Sequence, residues 1–249
     1  MRRLSILISY DGTAYHGWQV QPGLPTIQST IEKALSVIEG EPVKIEGSGR
    51  TDAGVHALAV CAAFNLKNPI PTDNLRKALN RLLPFDIRIT KVEERPANFH
   101  PRFQATAKTY EYRIWREEVC PPFLRRYVHH HPYPLDETAM IAAAARFAGE
   151  HDFSAFCSTD ESDILGKSKV RTIFESKLWR DQETLYFRVR GSGFLKHMVR
   201  HLTGFLLEVG KGNNTAEDLV EILKGPPAKV AFSAPAQGLH QISVEYPLP

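Results

Sequence analysis

Over residues 3–10, Leu4, Ile6, Ile8 and Tyr10 take alternate positions, the period of a strand buried on one face. Asp11-Gly12 then marks a turn. From Ile27 the period lengthens: Ile27, Ile31, Leu35 and Ile38 recur at helical spacing, with Thr26 placed to cap the helix and Gly40 to end it. Short strands are expected over 42–48 and 57–65, the second alternating Val60, Ala62 and Phe64. A helix over 73–83 carries Leu75, Leu79 and Leu82, and a strand over 86–93 carries Ile87 and Ile89. The order is βαββαβ.

The second half repeats it. A strand over 104–115 precedes an alanine-rich helix over 136–148, strands over 169–180 and 184–191, and a helix over 194–209. That last helix presents Leu195, Met198, Leu202, Phe205 and Val209; a further helix opens at Thr215, with Asp218 completing a variant capping box. A final strand over 239–246 closes the set. The expected fold class is α+β, as two ferredoxin-like (βαββαβ) units with antiparallel sheets and helices on one face. The expected domains are 1–102 and 103–249, with a cleft between them, where binding sites tend to lie.

The length of 249 residues fits one or two domains. With 43% hydrophobic and 24% charged residues, a disordered or fibrous chain is excluded. No apolar run approaches the roughly 18 residues of a membrane span, so no membrane association is expected. Met1-Arg2-Arg3 followed by LSILISY reads as a buried strand rather than a signal peptide. Cys61, Cys120 and Cys157 are odd in number and lack CxxC spacing, which indicates neither a disulfide framework nor a cysteine zinc site and implies a cytoplasmic setting.

The net charge of +3 says less than its distribution. Residues 67–126 carry thirteen Lys and Arg against seven Asp and Glu, residues 127–164 one against seven, and residues 165–212 ten against four. Two basic stretches around an acidic one suit a polyanion held on part of the surface, although solvated charge on exposed faces gives the same pattern.

The densest chemistry is the run Gly47-Ser48-Gly49-Arg50-Thr51-Asp52-Ala53-Gly54-Val55-His56. Its glycines permit tight turns and close approach of a ligand or backbone, and an arginine, an aspartate and a histidine sit among them. Two readings stand: a functional loop, or a turn in which Asp52 bonds its own backbone and Arg50 is solvated. GSGRTD is neither GxGxxG nor a P-loop, so no nucleotide cofactor is implied. His197 and His201 lie four apart on one helix, but the glutamate of HExxH is missing and no third ligand is placed, so no metal is expected. His129-His130-His131 reads as structural, in an edge strand or loop. Lys108, Tyr110 and Tyr112 share a strand face, either as packing or as a phenol able to stack on a base or accept a proton. Arg200 interrupts an apolar helix, either paired or reaching out to water. The RNA-recognition variant of the scaffold needs several aromatics on a central strand; ALAVCAAFNL offers only Phe64.

GRTDAGVHA (Gly49 to Ala57) resembles the signature of the tRNA pseudouridine synthase A family. So do YDGTAYHGWQ (Tyr10 to Gln19), FHPRFQATAKTYEYRI (Phe99 to Ile114), FLKHMVRHLTGFLLEVGKG (Phe194 to Gly212) and APAQGL (Ala234 to Leu239). Five motifs in family order span nearly the whole chain. The resemblance implies isomerisation of uridine to pseudouridine at positions 38, 39 and 40 of the tRNA anticodon stem-loop, by a homodimer that uses no cofactor. It places the essential aspartate on Asp52, the active-site tyrosine on Tyr110, the basic residue of HMVR on Arg200, and on Arg50 the arginine that enters the space of the flipped nucleotide.

These residue types suit the chemistry. Breaking N1–C1′ and making C5–C1′ requires no redox agent, but it does require an ionised carboxylate, which an aspartate is at neutral pH. Asp52 attacks the sugar as a carboxylate does in retaining glycosidases, attacks the uracil ring, or removes the C2′ proton; the sequence leaves all three open. Tyr110 would take up the C5 proton, and Arg200 would hold Asp52 through a bidentate pair. The nucleotide must be extruded, at a cost of a few kcal/mol that phosphate contacts with basic residues offset. Two other classes compete: a non-catalytic RNA-binding protein on the same scaffold, and a metal-dependent hydrolase or nuclease using the acidic stretch from Asp160 to Asp163.

Overall fold

The computed structural model describes residues 1–159, 166, 168–224, 230 and 232–247; the acidic stretch from Asp160 to Asp163 lies outside them. The chain divides into two compact units, Met1–Thr106 with His240–Pro249, and Ala107–Leu239. Among the described residues no helix is long and apolar enough to cross a membrane.

The first unit contains β1 (Arg2–Tyr10), α1 (Ile27–Glu39), β2 (Glu46–Gly47), β3 (His56–Leu66), α2 (Thr72–Leu82) and β4 (Ile87–Glu94), the expected βαββαβ order. β1 pairs antiparallel with β3 and with β4, and β2 pairs antiparallel with β3. The alternation read from β1 is the buried face: Leu4, Ile6, Ile8 and Tyr10 pack with Val60, Ala62 and Phe64 of β3 and with Ile27, Ile31 and Leu35 of α1. The Thr26 side chain accepts from the Ser29 amide in a capping box, and Gly40 ends α1 in the left-handed conformation. The strand expected over 42–48 shrinks to two residues for a specific reason. The amides of Val43 and Ile45 are donated to the Ser36 hydroxyl (3.0 Å) and the Glu32 carboxylate (3.1 Å) on α1, not to a ladder.

The second unit contains β5 (Ala107–Trp115), β6 (His129–His130), α3 (Glu137–Ala145), β7 (Gly149–Asp152), β8 (Val170–Asp181), β9 (Thr184–Gly191), α4 (Met198–Gly210) and α5 (Ala216–Lys224). β9 lies between β5 and β8, antiparallel to both, and β7 extends the sheet beyond β8. Tyr112, Leu178 and Phe187 share the buried face, on which Phe147, Phe156 and Phe205 form an edge-to-face aromatic cluster with centroids 5.7–6.5 Å apart. The box at Thr215 forms as expected: the Asp218 amide donates to the Thr215 hydroxyl (3.1 Å), and the Thr215 amide donates to the Asp218 carboxylate (2.7 Å).

β6, on the histidine triplet expected in an edge strand or loop, runs parallel to β5, and the structure adds β7, too polar to show alternation. β5 starts at Ala107 rather than at residue 104, because residues before it turn back, the Gln104 amide donating to the His100 carbonyl (3.1 Å). The last strand, β10 (Leu239–Glu245), was expected to complete the second half. All but its first residue group by contacts with the first unit, where His240 and Gln241 pair in parallel with His56 and Ala57. There the Gln241 side chain donates to the Ala59 carbonyl, and Tyr246 packs on Phe99 with centroids 5.3 Å apart.

Candidate active site

The run from Gly47 to His56 joins β2 to β3 and is held by neighbouring segments as well as by a bond of its own. The Ser48 amide donates to the Cys61 carbonyl (2.7 Å), and the Ser48 hydroxyl accepts the Cys61 amide (3.3 Å). Thr51 is buried, its hydroxyl 2.7 Å from the Tyr10 phenol and its carbonyl accepting the Trp18 amide at 3.0 Å. After Asp52 the loop closes on itself, Val55 donating its amide to the Asp52 carbonyl (3.2 Å), while Gly54 donates to the Tyr15 carbonyl (3.4 Å).

Two glycines in the facing loop make this packing possible. A Cβ on Gly12 would sit 2.0 Å from the Val55 carbonyl oxygen, and one on Gly17, whose φ is +83°, would sit 2.5 Å from that of Thr51. His56 completes the clamp: its Nδ1 lies 3.1 Å from the Gly12 amide and 3.2 Å from the Asp11 carboxylate. Between these anchors Asp52 is partly exposed and Arg50 is exposed. A carboxylate on a fixed backbone at the surface can meet a substrate without first being ordered.

Tyr110 and Arg200 belong to the second unit. Tyr110 is 7% exposed at the middle of β5, opposite Val189 of β9, with its ring edge-on to Phe194 at 5.0 Å. Tyr112 on the same face has a structural task. Its phenol donates to the Pro235 carbonyl (2.7 Å), and burial pushes its pKa well above the ordinary tyrosine value, opposed in part by the positive charge of Arg200. Arg200, in the first turn of α4, donates through Nε to the Ala234 carbonyl (2.8 Å), and the Ala234 amide returns a bond to the Arg200 carbonyl (3.0 Å). Three motif stretches, around Tyr110, Arg200 and Ala234, thus meet within one unit. Asp52 and Arg50 share the loop of the other.

α4 begins at Met198 and not at residue 194, because His197 adopts φ +61°, a left-handed conformation that histidine enters more readily than most residues. The Ser158 hydroxyl lies 2.7 Å from His197 Nδ1 and 3.4 Å from His201 Nε2. The pair four residues apart therefore shares a hydroxyl, and among the described residues no group of three or more His, Cys, Asp or Glu side chains is arranged to hold a metal. Reading residue types alone misses Ser158, and it misses the carbonyls of Ala234 and Pro235, which carry no side-chain signature.

Residues 6–104 and 143–247 match the family model described as tRNA pseudouridine synthase. The chain belongs to the tRNA pseudouridine synthase family. Its relatives include the tRNA pseudouridine synthase A of Solibacter usitatus, 58% identical over 99% of this chain and 100% of the relative. That of Citrifermentans bemidjiense is 44% identical, with 99% of this chain and 98% of the relative covered. A more distant solved structure, a Cbf5-Nop10-Gar1 complex, is 14% identical with a TM-score of 0.37, covering 82% of this chain and 54% of that one. The pseudouridine synthase segments contain Arg50, Asp52 and Arg200; Tyr110 lies between them, within the span of the full-length relatives.

Proposed function

We propose that the protein isomerises uridine to pseudouridine in tRNA, at positions 38, 39 and 40 of the anticodon stem-loop, acting as a cytoplasmic homodimer. The observation that carries the reading is the Asp52 loop: a partly exposed carboxylate on a backbone fixed by buried neighbours, inside a stretch that matches the family. The family match favours an enzyme over a non-catalytic RNA-binding protein of the same scaffold. The positions, the dimer and the compartment rest on the resemblance of the five motifs.

In this reading Asp52 acts at the everted uridine, the N1–C1′ bond breaks, the base turns, and C5–C1′ forms; the proton lost from C5 ends on N1, so no atom is gained or lost. Tyr110 packs on the ring and receives the C5 proton, Arg50 fills the space the nucleotide leaves, and Arg200 supplies fixed positive charge. Extrusion exposes a sugar carbon that a stacked nucleotide hides. The test is direct: unmodified tRNA is incubated with the protein in chelator and pseudouridine is mapped by reverse transcription after carbodiimide treatment. Pseudouridine at 38–40 is expected. Binding with no modified position returns the RNA-binding alternative, and strand cleavage restored by added metal returns the nuclease.

A further inference from the structure

The end of the first unit's sheet that bears Asp52 carries a second exposed group. β1 ends there while β3 and β4 begin, since Tyr10 pairs with Ala57 on one side and Ile87 on the other. The turn leading into β4 is tied to the neighbouring loop: the Asp11 amide donates to the Asp86 carbonyl (2.9 Å), and the Tyr15 phenol donates to the Asp86 carboxylate (2.7 Å). Tyr15 is the residue whose carbonyl holds Gly54, two positions from Asp52.

At the tip of this turn Phe85 is 95% exposed, although phenylalanine is among the residues most often buried. The ring is held all the same. The Arg88 guanidinium lies 4.8 Å over its centroid, and Nη1 of Arg88 donates to the carbonyls of Pro84 (2.7 Å) and Ile87 (2.7 Å). The Ile87 amide closes the turn on the Pro84 carbonyl at 3.1 Å. Arg81, exposed in the last turn of α2, adds positive charge.

We propose that Phe85, backed by Arg88, is a stacking platform for an unpaired base of the RNA, close to the nucleotide on which Asp52 acts. This rests on the function proposed above. Every base offers a π face to an aromatic ring, and Arg81 and Arg88 complement the phosphates beside it. An ordered ring loses little freedom when the base arrives.

Phe85→Ala and Phe85→Trp are compared with wild type in the full chain. Neither variant should shift the melting temperature, because the ring lies outside the core. With unmodified tRNA, Phe85→Ala should raise Kd and KM by about 5- to 100-fold, the range for loss of one base–aromatic stack. The value of kcat should stay within about two-fold and the salt slope of binding should be unchanged, because no phosphate contact is removed. Phe85→Trp should behave as wild type, and a fully paired RNA duplex should bind wild type and Phe85→Ala equally. An unchanged KM, a loss confined to kcat, an equal loss on duplex, or an altered sedimentation of Phe85→Ala (a contact between copies) would each overturn the proposal. If wild type forms no pseudouridine the functional reading fails, and binding of single-stranded against duplex RNA still decides the platform.

Discussion

The Asp52 loop and the Arg200 region hold their candidate residues in opposite ways. In the first unit the restraints fall on the neighbours: Thr51, Gly54 and His56 are bonded to the 10–18 segment, and the packing needs bare glycines at 12 and 17. In the second unit the candidates are themselves restraints or adjoin them. Arg200 clasps Ala234 through side chain and backbone, and Tyr112, two residues from Tyr110, anchors Pro235. The difference is practical. Substitution at Asp52 leaves the backbone bonds of Thr51, Gly54 and Val55 in place, whereas substitution at Arg200 mixes chemistry with the loss of the brace on Ala234.

The largest effect expected is at Asp52. Asp52→Asn is nearly isosteric and removes the charge, so turnover, read as tritium release from C5-labelled tRNA, should fall by at least about a thousand-fold. Binding of tRNA should hold. Substantial residual turnover would take Asp52 out of its role. Next comes the backbone that carries it. Gly17→Ala places a Cβ 2.5 Å from the Thr51 carbonyl at a φ of +83°, and should cost about 3 kcal/mol in chemical denaturation while lowering turnover. Gly40→Ala, with φ +82° and nothing within 4 Å, should cost only about 1 kcal/mol and leave turnover intact. Equal costs at the two positions would mean that the loop is not tightly packed.

Much of this contrast was legible in the chain. The period-two run from Leu4 to Tyr10, the Thr26 cap and the Gly40 stop specify local structure that tertiary packing has no reason to override. Asp52 and Arg50 stood out because a plain turn does not require ionisable residues between several glycines. What stayed hidden was structure made by backbone groups or by distant partners. β7 exists through pairing with β8, and its sequence, GEHD, has no apolar alternation. The 42–48 segment reads as a strand but gives its amides to α1. Ala234 and Pro235 act through carbonyls, which any residue would supply, and Phe85 reads as one more apolar residue before a strand.

A smaller effect separates the units by pH. Burial, followed by the charges of His131, His130 and Lys211, lowers the pKa of His129 from 6.5 to about 4. His131 moves down for similar reasons, burial first and then Arg116 and Lys211. The groups facing this pair include the Tyr112 ring, Arg116, Lys211 and Glu208. A histidine that stays neutral when folded and charges when unfolded makes the unfolded state bind more protons between the two pKa values. Stability should therefore be full above about pH 6.5 and be lost as the pH falls from 6.5 toward 4. His129→Gln should flatten that slope in urea titrations; an unchanged slope would assign the acid sensitivity elsewhere.

The finest test divides the two tyrosines of β5. Tyr112→Phe deletes the hydroxyl that donates to the Pro235 carbonyl and leaves that acceptor without this partner, at a cost of about 1–2 kcal/mol. Because the phenol is fully buried and held in its neutral form, it should not take part in proton transfer, and turnover per folded molecule should stay near wild type. Tyr110→Phe should do the reverse, cutting the rate of the step that removes the C5 proton. The primary kinetic isotope effect on C5–H release separates the outcomes, since it should grow in Tyr110→Phe and stay unchanged in Tyr112→Phe. If the isotope effect grows with Tyr112→Phe instead, the second phenol of the YxY strand is the reactive one, and the brace and the proton acceptor have been assigned to the wrong members of the pair.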